Sequence, residues 1–211
     1  LINSDNESNL RFTSTLGTLR QYVTVTTSDL FEPKRDANTS VANQNIKGTI
    51  FLNSQGEFQD IDYIIVAPNN MLNEAERLAQ IDRNQYNLNV KAIGLNEIYN
   101  EFSTGNQDIG AIRNLIKYVY DNASAPEKKL KYVCLFGDGS FDYKDRIQNN
   151  TNIVPSWHAY NSFSLTNSFV SDDFYGMMDA NEGTLAINDK LDLAVGRILA
   201  DTPQRAKELV D

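Results

Sequence analysis

The chain has 211 residues, 41% of them hydrophobic, which suits one ordinary domain or a domain plus part of another. Its net charge of −9 and pI near 4.6 argue against a nucleic-acid partner, which needs a basic footprint. The longest apolar runs are about five residues, far short of the ~20 that cross a bilayer. No signal peptide follows Leu1, and the chain is expected to be a fragment.

Residues 1–10 are polar and expected to fray. Residues 20–27 alternate and are rich in β-branched side chains, the pattern of a strand with one solvated face. Residues 33–45 are polar and turn-like, and 49–53 read as a second short strand. Residues 1–58 therefore resemble the end of a β-rich module.

From Asp60 the pattern changes to strand, helix, strand. Residues 62–67 form a buried-strand run stopped by Pro68. Asn73 is placed to cap a helix, with Glu76 closing a capping box and Ala75, Leu78, Ala79 and Tyr86 facing inward. A strand is predicted at 89–93 and a short helix at 95–102. Asp108 opens the clearest helix, where Ile109, Ile112, Leu115, Ile116, Val119 and Tyr120 keep a 3.6-residue period and Arg113, Lys117 and Asp121 face out. The run Tyr132 to Phe136 reads as a strand buried on both faces. Alternating elements of this length predict an α/β fold with a parallel sheet and helices on both faces. Residues 146–171 are long and irregular, but Trp157, Tyr160, Phe163 and Phe169 argue against disorder. A last strand is predicted at 191–195, and Pro203 opens a final helix that stops at Asp211 in mid-pattern.

The strand at 132–136 ends at once in Gly137-Asp138-Gly139, where glycines allow positive φ. Asp138, Asp142 and Asp145 crowd this loop, and open α/β sheets bind ligands at the carboxyl ends of their strands. Asp138 could serve a cation or simply accept backbone N–H bonds at a tight turn. Asp179-Ala180-Asn181-Glu182-Gly183 places alternate oxygen ligands around a turn glycine, like the opening of a calcium loop; a solvated hairpin fits equally well. Asp172 and Asp173 could cap a helix or be solvated, and Arg197 could pair with a loop carboxylate. Paired carboxylates also suggest a magnesium phosphohydrolase, but the tight Asp-x-Asp and a phosphate loop are missing.

One cysteine and one histidine suggest a thiol dyad. Cys134 lies four residues before Asp138, ~13 Å below the strand's carboxyl edge at ~3.3 Å per residue. A thiol in such an apolar setting is inert. His158 sits in the aromatic loop with no second zinc ligand, and reads as a packing residue or a substrate contact. The lone Cys allows no disulfide, and the Asn-rich loops (Asn149-Asn150-Thr151-Asn152) are compatible with a secreted or surface protein.

Several segments, in order and spacing, resemble the gingipain-type cysteine peptidases from about Asn43 to Asp211. They are residues 62–68 and 75–79, Ile98-Tyr99-Asn100-Glu101-Phe102-Ser103, residues 107–113, Leu135-Phe136-Gly137-Asp138-Gly139-Ser140-Phe141-Asp142, residues 171–176 and residues 191–197. Within that family the likeness is to the sortase of the type IX secretion system. The resemblance implies a caspase-like α/β fold of two subdomains, with residues 59–211 the first subdomain and 1–58 the end of a preceding β domain. Family members carry their catalytic His in a Gly-His-Gly turn and their Cys on the next strand, both after a Val-Gly-Arg motif, here Val195-Gly196-Arg197. Neither falls on a position of this chain, and Cys134 and His158 match neither, so the fragment alone is expected to be inactive.

The resemblance also implies structural calcium near Asp138 and near the turn of Asp179, Asn181 and Glu182. The parent enzyme would remove C-terminal sorting domains from exported cargo at the cell surface, alongside other type IX secretion components. An amine of a surface lipopolysaccharide could resolve its thioester. The alternative is a binding or scaffold module of the same fold without the dyad.

Overall fold

The computed structural model describes residues 13, 15–17, 19–23, 25–32, 43–161 and 163–211. The chain divides into two units, Leu1–Ala42 and Asn43–Asp211. In the first, the described residues form a 3-10 turn, Thr27–Asp29, in which the Asp29 carboxylate accepts the Thr26 N–H and hydroxyl at 2.7 and 2.9 Å. The strand expected over 20–27 does not form among the described residues. Tyr22, Val23 and Val25 are exposed there, and an alternating segment becomes a strand only against a partner. The readings for residues 1–10 and 33–42 lie outside the described residues.

In the second unit the elements are, in order, α1 (Ile46–Thr49), β1 (Tyr63–Ala67), α2 (Leu72–Tyr86), β2 (Val90–Gly94), α3 (Leu95–Phe102), α4 (Ile109–Asp121), β3 (Tyr132–Phe136), β4 (Trp157–His158), β5 (Val170–Ser171), β6 (Ala194–Ile198) and α5 (Pro203–Val210). The four long strands make one parallel sheet in the order β2-β1-β3-β6, and β4 pairs antiparallel with β5.

Strand periodicity explains why the apolar runs are unbroken. Ile64, Val66, Val133 and Leu135 point to one face, where α3 and α4 supply Leu95, Ile98, Ile112, Leu115, Ile116 and Val119. Ile65, Ala67, Cys134 and Phe136 point to the other, against Ala75 and Ala79 of α2 and Ala206 of α5. Each Val, Leu, Ile or Phe side chain among them contributes about 1.5–3 kcal/mol when removed from water, so both faces must be covered.

Four local expectations change. Residues 49–53 are not a strand: α1 is a helical turn whose Ile46 and Lys47 N–H groups donate to the Glu101 carboxylate at 2.6 and 3.0 Å. Ile46, Ile50 and Phe51 have helical spacing and join the core beside α3 and α4. Asn73 is no cap, because the 3-10 turn Asn69–Met71 runs straight into α2 and leaves Asn73 inside its first turn. Tyr86 is exposed rather than inward, since α2 at ~22 Å outruns strands of ~16 Å. The last strand starts at Ala194, where its register against β3 runs from Tyr132↔Ala194 to Phe136↔Ile198.

The chain leaves β1 toward β2 and leaves β3 toward β6, so β1 and β3 are neighbours whose connections diverge. The crevice between their carboxyl ends is where an open sheet of this order exposes backbone and loops to a ligand.

Candidate functional site

The loop leaving β3 is pinned by its own backbone. Gly137 and Asp138 donate their N–H groups to Ile198 and Ala200, and the Asp138 carbonyl accepts from Ile153 and Val154. Gly137 sits at φ 147°, and a Cβ there would come within 2.9 Å of Ile153. Gly139 is needed for a different reason than the turn suggests: its φ is ordinary, but a Cβ would lie 2.8 Å from the Ser156 hydroxyl and 3.3 Å from the Arg197 guanidinium.

Arg197 is the hub of this edge. It sits on β6 opposite Leu135, and its side chain is only 11% exposed. Nε and Nη2 hold the two Asp172 oxygens at 2.8 and 2.7 Å, Nη1 donates to the carbonyls of Gly137 and Val154 at 2.7 and 2.8 Å, and Nη2 also reaches Ser156 Oγ at 2.9 Å. The Ser156 hydroxyl in turn donates to Asp172 at 2.7 Å. One planar cation thus ties the β3 loop, the 153–156 segment and the 3-10 turn Asp173–Gly176 into a single floor. Burial raises the Asp172 carboxyl, but the Arg197 guanidinium and the Ser156 hydroxyl outweigh it and hold it below the usual carboxylate range. Arg197 finds its carboxylate in Asp172 rather than in the Asp138–Asp145 loop, so Asp172 is neither the helix cap nor the solvated group expected of it. Ser156 was not foreseen; a lone serine before an aromatic run carries no signal of its own.

The three loop carboxylates do different things. Asp142 is buried and accepts the N–H groups of Arg146 and Ile147 at 2.5 and 2.7 Å, a turn-closing role. Asp145 is exposed. Asp138 keeps one buried oxygen, Oδ1, without a hydrogen-bond partner. Burial and then the nearby Asp201 push its carboxyl up, against a smaller pull down from Arg197.

The 177–192 segment is anchored by two cations expected in solvent. Arg113 donates to the carbonyls of Met177 and Glu182, and Lys117 to that of Met178 at 2.8 Å. The Glu182 oxygens accept the N–H groups of Asp179 and Lys190, and Asp189 accepts those of Gly183 and Ala186. Asn181 and Gly183 take positive φ, 69° and 101°, as a tight turn requires. For a calcium ion, then, the Glu182 oxygens already face backbone donors, and Asp179 and Asn181 are exposed. Among the described residues no three His, Cys, Asp or Glu side chains converge as a metal-holding set. Asp138 follows β3, while Asp179, Asn181 and Glu182 belong to the turn that Arg113 anchors, so the expected calcium positions are two separate places.

Cys134 and His158 stand apart. Cys134 is 4% exposed, and burial pushes its thiol up to about 11. It borders a groove on the α2 side of the sheet. His158 lines another cavity, of about 750 Å³, walled by Phe141, Tyr143, Trp157, Tyr160 and Phe169. Its Nε2 is buried without a partner, and its ring meets Tyr143 edge-on at 5.7 Å. A nucleophile and its base must be within hydrogen-bond reach, which these two are not.

The model of peptidase family C25 matches residues 57–211. The crystal structure of dimeric latent PorU from Porphyromonas gingivalis superposes with a TM-score of 0.57 at 32% identity, over 71% of this chain and 15% of that one. The chain therefore spans a small part of the length of that relative. No curated protein matches it. Among the described residues no helix is long and apolar enough to cross a membrane.

Proposed function

Because the chain belongs to peptidase family C25, the gingipain family, we propose that it is the rigid sheet-bearing part of a cysteine endopeptidase whose thiol and imidazole come from residues outside these 211. One observation carries this reading. The chain's sole cysteine is a buried core thiol bordering one cavity, and its sole histidine lines another. A C25 peptidase needs both groups at one scissile bond.

The likeness to PorU supports a finer version. The parent protein cuts the C-terminal sorting domain from exported cargo at the cell surface, in company with other type IX secretion components. A thiolate adds to the scissile carbonyl, the sorting domain's amine leaves with a proton from the imidazole, and a thioester remains. Water then hydrolyses it, or a surface amine takes the acyl group. The part played by this chain is to hold the Arg197–Asp172 floor at the carboxyl edge of the sheet, so that the loops beside the reacting groups do not shift.

The test is cleavage of a model cargo with and without its sorting domain. The full-length parent is expected to release the domain, and the 211-residue chain to release none. A parent that binds this cargo without cutting it would favour the scaffold reading, which the missing dyad also permits.

A further inference from the structure

Beside the Arg197 floor, and sharing Ser156 with it, lies the cavity of about 750 Å³ that His158 lines. Its walls come from the start of α4, from Phe141 and Tyr143 after β3, from β4 with Tyr160, and from Phe169 with β5. Trp157 is the buried ring among them and packs against Phe169 at 5.6 Å and Tyr160 at 6.5 Å. Phe141, Tyr143, Tyr160 and Phe169 are each at least 46% exposed. Four aromatic rings left in water around one opening mark a binding surface rather than a core.

Two polar groups restrict what can enter. Asp108 is the carboxylate of the lining, and its Oδ1 accepts the Gly110 N–H at 2.7 Å as the cap of α4. Fixed there, it repels an anion. His158 Nε2 is buried without a hydrogen-bond partner among the described residues, and its ring meets Tyr143 edge-on at 5.7 Å. An unpaired buried nitrogen is costly. With no hydrogen bond at Nε2 to hold it, the ring is free to turn about χ2 toward an occupant. The occupant is then apolar over most of its surface, carries no negative charge and brings one hydrogen-bonding group.

We propose that this cavity takes the side chain of a tyrosine in the polypeptide that the parent peptidase cuts, its ring among the wall aromatics and its hydroxyl on His158 Nε2. A phenol hydroxyl donates as readily as it accepts, so it pairs with Nε2 whichever ring nitrogen carries the proton. Indole can only donate, and phenylalanine does neither. Offset and edge-on packing against Trp157 and Phe169 favours a ring over an aliphatic chain. The volume lies within the ~300–1,000 Å³ of sites that enclose a ligand, which leaves room for main chain beside the ring. Because Ser156 belongs to both cavity and floor, the bound residue sits at the carboxyl edge of the sheet. The source of the tyrosine rests on the peptidase reading above, whereas the site rests on the cavity alone.

The probes are N-acetyl-tyrosine methylamide and its phenylalanine and leucine counterparts, titrated into the ¹⁵N-labelled chain. Trp157 is the sole tryptophan, so one indole N–H peak reports on the cavity. The expected result is saturable movement of that peak and of the Ala159 and Val170 amides, with affinity about tenfold lower for phenylalanine and lower again for leucine. His158→Phe should erase the preference for tyrosine over phenylalanine while the Leu115 amide, in the core, stays in place. Phe141→Ala, which removes an exposed ring and leaves the core intact, should weaken all three. In the full-length parent the tyrosine probe should inhibit cargo cleavage competitively. Equal affinity for tyrosine and phenylalanine, tighter binding of leucine, a preference that survives His158→Phe, no movement at millimolar probe, or binding without inhibition would each overturn the proposal. A parent that cuts no cargo while the chain still prefers tyrosine would overturn the peptidase reading and leave the site in place.

Discussion

Arg197 grips Asp172 with two parallel hydrogen bonds of 2.8 and 2.7 Å while its remaining donors hold three other groups of the same edge. Arg197→Met leaves a partly buried carboxylate and two carbonyls without their donor. The expected cost is about 3–5 kcal/mol, because breaking one side of a buried pair strands the other. For a chain of this size that is a fall of roughly 6–20 °C in Tm. Arg197→Lys cannot rebuild the fork and should recover less than half of the loss. The pair also sets a pH dependence. Asp172 has a lowered carboxyl in the fold, so its contribution is present above the ordinary carboxylate range and is lost as pH falls through the lowered value. Thermal melts of wild type and Arg197→Met should converge in acid; parallel curves down to strong acid would contradict the pairing.

Asp138 predicts the opposite sign. Its carboxyl is raised, so its charged form weakens the fold once pH rises above the ordinary carboxylate value. Asp138→Asn should therefore be more stable than wild type at neutral pH, with the gain vanishing in acid. A loss of stability at pH 7 would show that the carboxylate has a partner in solution.

The segment before the sheet hangs on a cap supplied from 54 and 55 residues away, Glu101 to Lys47 and Ile46. Glu101→Ala is expected to cost about 1 kcal/mol, as loss of a helix cap does. Hydrogen exchange should speed up across residues 46–58 and remain slow in β1 and β3. Uniform acceleration would mean that these residues do not open separately.

How far the sequence was legible follows from which forces are local. β1, β3 and α4 were readable because burial on both faces demands an unbroken apolar run and burial on one face demands a helical period, and both patterns lie within a dozen residues. α3 fell where it was expected, over Leu95–Phe102. The shift of β6 to Ala194–Ile198 was not readable, because Leu191, Leu193 and Val195 alternate like a strand and only the neighbour β3 decides the register. Arg113 and Lys117 sit on the polar side of α4, and their carbonyl acceptors come from a loop more than 60 residues later. Of the site, the glycine-bounded turn after β3 and the need of Arg197 for a carboxylate were visible. Ser156 was not, since it matters only through the Arg197 and Asp172 that the fold brings beside it.

Calcium offers a direct check on the Asp179–Gly183 turn. With Glu182 and Asp189 already accepting backbone N–H groups, millimolar calcium is expected to leave the Tm of the chain unchanged. A site filled at a hundred times its Kd would add about 2.7 kcal/mol. A rise of several degrees would show that the turn reopens around the ion.

Under the proposed function, this chain scaffolds a thiol chemistry whose reacting groups lie outside it. The most direct measurement is to treat the native full-length parent with a peptidyl thiol trap and locate the adduct by mass spectrometry. The label is predicted on a cysteine outside these 211 residues, with Cys134 modified only after denaturation. An adduct on Cys134 in the native protein would contradict it.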